Sequence, residues 1–163
     1  MRYTERMQRI SIKRVGVEII DMTKRLWDTD ANCQIETIYN LGKAKIKIGS
    51  IIFVCREYYP FRPPDVTING ELYKRWMIPP TPRINTMHER YNIIEKMDCY
   101  CCLSKANPQV WSPMCKMNDI LDEIDNIKRY KRKIRHILII EEIFKHRSNI
   151  NEQIIEHIYQ YIL

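Results

Sequence analysis

Glycine is nearly missing from this chain, with four among 163 residues, and alanine is scarcer still. Gly16, Gly42, Gly49 and Gly70 stand at none of the spacings of a phosphate-binding motif: there is no Walker loop, no dinucleotide fingerprint and no metalloprotease helix, which disfavours chemistry on ATP or a dinucleotide. No apolar run approaches the roughly 20 residues that a membrane-spanning helix needs. The opening Met1-Arg2-Tyr3-Thr4-Glu5 lacks the apolar stretch of a secretory leader. The expectation is a soluble protein of a reducing compartment, cytoplasmic or nuclear, with no membrane partner. Cys33, Cys55, Cys99, Cys101, Cys102 and Cys115 then read as thiols rather than disulfides. Paired C-x₂₋₄-C knuckles are lacking too. Cys99, Cys101, Cys102 and Cys115 with His88 offer soft ligands but not in the spacing of a structural zinc site, so neither a metal nor a cofactor is expected.

What the chain does have is charge, isoleucine and one conspicuous proline segment. Its length suits one globular domain able to bury about two thirds of its extended-chain surface. The formal charge of +7 suits an acidic protein partner or a nucleic acid. Its densest basic run, Lys128 to Arg135, lies in a helical pattern, where a solvated face is the plainer reading and a nucleic-acid surface the sharper one.

Between Thr4 and Trp27, Ile12, Val15, Ile19, Met22 and Leu26 recur at steps of three and four, the stripe of an amphipathic helix. Arg6, Arg9, Lys13, Arg14, Lys24 and Arg25 fall on its other face. The period then becomes two: Lys43, Lys45 and Lys47 alternate with Ala44, Ile46 and Ile48, as in a half-buried strand. With Ile35–Tyr39 before, Ile51–Val54 after and Val66–Ile68 further on, this is a four-stranded antiparallel meander, and Asn69-Gly70 is a strong hairpin-turn signal. Between the third and fourth strands stands Tyr59-Pro60-Phe61-Arg62-Pro63-Pro64-Asp65-Val66. Its prolines remove backbone donors and push Tyr59 and Arg62 out of the helical region, so an extended loop without internal hydrogen bonds is expected. Residues 71–98 are hard to read. Helical patterns return at Met117–His136, Ile137–Lys145 and Asn151–Ile162. The fold class is α+β, with a core over residues 1–136 and a helical extension over 137–163.

The proline segment, together with Trp111-Ser112-Pro113 and the helix-then-meander order, resembles the ubiquitin-conjugating enzyme family. There, a YPF-basic-PP-x-V segment joins the third and fourth strands and a WSP segment follows the active-site cysteine. The resemblance implies that a cysteine accepts ubiquitin or a ubiquitin-like protein from an activating enzyme and passes it to a lysine. Cys102-Leu103 stands a short loop before Trp111, which makes Cys102 the candidate nucleophile. Cys101 is its rival, since neighbours in an extended segment point to opposite sides, and a third possibility is that all these thiols are buried packing groups. The family's His-Pro-Asn segment is absent in that form. Asn92 is the candidate oxyanion donor, with Asn85 as a second. The resemblance places ligase contacts at Phe61, Arg62, Ser112 and Pro113, and activating-enzyme contacts at Arg6, Arg9 and Lys13. Two features depart from the family: no glycine precedes Cys102, and the connection from Val66 to Cys102 is long. They open the alternative of an inactive variant, as in the related RWD domains, that scaffolds other proteins, in a viral particle for example.

Overall fold

A computed structural model describes residues 2–29, 34–40, 43–77 and 100–145. The chain divides into two compact units, Met1–Met77 with Tyr100–Glu123 and Ile78–Cys99 with Ile124–Leu163. The first holds helix α1 (Arg2–Thr29) and a five-stranded antiparallel sheet in sequential order: β1 (Ile35–Asn40), β2 (Lys43–Ile48), β3 (Ile51–Cys55), β4 (Asp65–Ile68) and β5 (Glu71–Leu72). Two short helices follow, α2 (Tyr73–Trp76) and α3 (Tyr100–Leu103). The long α4 (Met117–Lys145) gives its first two turns to this unit. Among the described residues no helix is long and apolar enough to cross a membrane.

The sheet follows from the period-two pattern. Ile46, Phe53 and Val66 sit opposite one another across β2, β3 and β4, as do Ile48, Ile51 and Ile68. All six are buried, and a fully buried side chain of this kind contributes about 1.5–3 kcal/mol. Lys43 and Lys45 face solvent, and Lys47 pairs at 2.8 Å with its cross-strand neighbour Glu36. Asn69 and Gly70 both take positive φ, 53° and 79°, and join Ile68 to Glu71 in a two-residue hairpin. That turn adds β5, one strand more than the alternation indicated, because a two-residue strand is too short to show a period.

Three other expectations shift. The buried line of α1 is Ser11, Val15, Glu18 and Met22, whereas Ile12 is 53% exposed and Ile19 and Leu26 are half-buried. The core is thus rotated by one residue to admit Glu18, whose carboxylate is fully used. The proline loop is not free of internal hydrogen bonds: Tyr59 N donates to Arg56 O (2.9 Å), and Phe61 N and Arg62 N both donate to Tyr58 O (2.7 and 3.0 Å). Its Tyr59-Pro60 bond is cis. Finally, α4 runs unbroken through Ile137, since Ile134-Arg135-His136-Ile137-Leu138 contains no glycine or proline to stop it. Residues 151–162 lie outside the described residues.

Candidate functional site

Glu18 joins three parts of the first unit. Only 2% of it is exposed, and it accepts hydrogen bonds from Arg14 Nε one turn earlier, from the Tyr59 hydroxyl and, at 2.7 Å, from the backbone N–H of Met117. A buried carboxylate is tolerable when its lone pairs are filled in this way. The contact with Met117 also satisfies one of the donors that the start of α4 leaves open, and Asp119 Oδ2 takes another, from Lys116 N at 2.7 Å. Tyr59 belongs to the proline loop, so α1, that loop and the start of α4 share one polar centre. Burial and the nearby Glu18 charge push the Tyr59 hydroxyl well above the usual tyrosine range. Burial does the same to the Cys55 thiol, with Glu18 and Asp65 adding to it.

The proline loop and the loop leading to α4 are fastened directly. Trp111 Nε1 donates to Pro60 O at 2.7 Å, and its ring lies 5.9 Å from that of Tyr59 at an angle of 41°. Phe61-Arg62 and Ser112-Pro113, the four expected ligase contacts, are sequence neighbours of these fastened residues. Phe61 is 53% exposed, Pro113 is exposed and Ser112 is half-buried. The Arg62 guanidinium lies over the Tyr58 ring, 5.2 Å from its centre. Tyr59, Pro60 and Trp111 anchor, and Phe61, Arg62 and Pro113 beside them are exposed.

Cys102 sits on α3 and is exposed, while Cys55 is buried and Cys115 is half-buried with its sulfur 3.6 Å from Ser112 Oγ. The segment around Cys102 is a helical turn rather than the extended strand assumed for it. The reading that all thiols are packing groups therefore does not hold for Cys102. Of the Cys101 side chain nothing is described. Asn92, Asn85 and His88, and with them the candidate oxyanion donor, lie outside the described residues. Arg6, Arg9 and Lys13 are exposed on α1. Arg14 and Arg25 are not part of that solvated face: Arg14 also donates to Cys115 O (3.0 Å), and Arg25 donates to Asn118 O (3.1 Å) and pairs with Asp122 (2.7 Å).

Two residues that organise the Cys102 loop were not singled out by sequence. Asn107 Nδ2 donates to Cys102 O (3.0 Å), its Oδ1 accepts from Gln109 N (3.0 Å), and its carbonyl accepts from Val110 N and Trp111 N. The Asn-Pro pair at 107 and 108 is the signal for such a side-chain turn. Glu123, from α4, accepts from Lys105 N (2.8 Å) and the Tyr73 hydroxyl (3.0 Å). Beside this loop a groove of about 550 Å³ runs along the proline loop, lined by Tyr58, Pro63, Pro64, Tyr73, Met77 and Asn107 among others. Comparison with protein-family models, with curated proteins and with solved structures finds no match.

Proposed function

We propose that the chain is a divergent protein of the ubiquitin-conjugating type that carries ubiquitin or a ubiquitin-like protein as a thioester on Cys102 and transfers it to a lysine. The observation in its favour is the exposure of Cys102 on α3, from which a loop runs to Trp111, itself tied to Pro60 of the proline loop. In the first step the Cys102 thiolate attacks the carbonyl of the incoming thioester. A new S–C bond forms and the activating enzyme's thiolate departs. In the second step a neutral lysine amine attacks the same carbon, the C–N bond forms, and Cys102 leaves as thiolate while the amine's surplus proton passes to solvent. No cofactor takes part. Phe61, Arg62, Ser112 and Pro113 would receive a ligase, and Arg6, Arg9 and Lys13 the activating enzyme.

A scaffold without transfer is the second reading. The observation on its side is that Cys102 lies on a helical turn with no glycine before it, so the backbone freedom expected next to the nucleophile is missing. Incubation with activating enzyme, ATP and ubiquitin separates the two. The first reading expects an adduct that reductant removes, and a reductant-resistant ester on Cys102→Ser. If no adduct forms on the unaltered chain with several activating enzymes and modifiers, and Cys102→Ser and Cys101→Ser are both indifferent, transfer is excluded and the scaffold reading stands.

A further inference from the structure

The nine residues Lys128 to His136 contain six lysines and arginines and no carboxylate, in a chain whose whole net charge is +7. The basic excess is therefore concentrated on one part of α4. Its apolar members, Tyr130 and Ile134, are buried, whereas Lys128, Arg129, Arg132, Arg135 and His136 are exposed. Lys128 leans on Asp125 at 3.6 Å. Among the described residues Arg129, Arg132 and Arg135 have no carboxylate partner. They follow one another at steps of three, which brings neighbours to within about 5–6 Å at Cβ and stretches the row over about 9 Å of helix. Like charges so placed repel one another, and a row of external anions would relieve the repulsion.

We propose that this face of α4 binds the phosphodiester backbone of a nucleic acid. A guanidinium fork matches two phosphate oxygens, and a phosphodiester chain supplies a negative charge at every step, about one per 3.4 Å of axis on each strand. A row of unpaired arginines thus finds counter-charges without any sequence match. An acidic protein would need carboxylates set at the same intervals. A membrane surface would call for apolar side chains interleaved with the cations. Here the interleaved apolar residues point inward, and the exposed Ile139 and Ile143 come after the run rather than within it. The binding does not depend on Cys102 or on the transfer reading.

The test is a salt titration of the 163-residue chain against a fluorescent DNA duplex of arbitrary sequence, followed by anisotropy. Three phosphate contacts give a slope of log affinity on log salt of about −2.7, a roughly 40-fold loss between 50 and 200 mM salt. Changing sequence should leave the slope unaltered. Arg129→Gln/Arg132→Gln/Arg135→Gln, with glutamine a good helix former, should flatten the slope and weaken binding more than tenfold at 50 mM. Lys43→Gln/Lys45→Gln on the exposed side of β2 should leave both unchanged. A wild-type slope shallower than −1, an equal loss in the β2 variant, or binding to phosphatidylserine vesicles where the duplex does not bind would each overturn the proposal.

Discussion

Glu18 and the Arg129–Arg135 row treat charge in opposite ways. Glu18 lies in the core of the first unit and fills its oxygens with an arginine, a tyrosine hydroxyl and a backbone N–H. Arg129, Arg132 and Arg135 of α4 are exposed, with no carboxylate partner among the described residues. A buried, satisfied charge dictates which segments meet, since removing it strands its partners. An exposed charge adds little to stability and is available to a partner outside the chain.

The comparison can be broken most forcefully at its buried end. Glu18→Ala strands the Tyr59 hydroxyl, the Met117 N–H and the Arg14 guanidinium, and should cost about 3–5 kcal/mol, read as a lower urea midpoint. A loss under 1 kcal/mol would mean that the three segments meet for other reasons.

Alkali probes the same region. Tyr59, Tyr73 and Cys55 are held protonated in the fold, chiefly by burial, well above their ordinary values of 10.0, 10.0 and 9.0. For Tyr59 and Cys55 the Glu18 charge adds to the effect, and for Tyr73 the Glu123 charge does. Unfolding lets these groups ionise, so the unfolded state binds fewer protons above pH 9–10 and stability falls as pH rises. Below pH 9 their contribution is fully present. Each group then removes about 1.4 kcal/mol per pH unit, and Tyr59→Phe should lower the slope by one such share. Stability level from pH 8 to 11 in denaturant titrations would refute the burial of these groups.

Gly16 gives a smaller effect. A β-carbon there meets nothing within 4 Å, so Gly16→Ala should raise stability by up to about 1 kcal/mol through helix propensity. A lowered melting temperature would show that α1 needs the glycine. At the solvent end of the comparison, Arg132→Gln should change stability by less than about 0.5 kcal/mol. A larger loss in the same melt would mean that the row supports the fold.

Local chemistry made much of this architecture readable. Strict alternation at Lys43–Ile48 placed β2 and its faces, Asn69-Gly70 placed a hairpin, and steps of three and four placed α1 and α4. Four things were not readable. β5 is too short to carry a period. The division of Met117–Lys145 into two helices had no breaker residue behind it. The turn around Cys102 depends on Asn107, whose side chain acts through a carbonyl five residues away. The burial of Glu18 runs against its polarity, and its partners Tyr59 and Met117 lie 41 and 99 residues along the chain.

The sequence by itself determined the elements and the chemical inventory: an N-terminal helix, a meander, a proline segment, a basic run and six cysteines. These follow from interactions within a few residues, where side-chain period and backbone preference act. Only the tertiary structure decided which face of α1 is the core, that Cys102 is exposed while Cys55 is buried, and that three arginines of α4 are exposed without a carboxylate partner among the described residues. Each of those depends on desolvation and hydrogen-bond partners brought from distant parts of the chain, which no local pattern encodes.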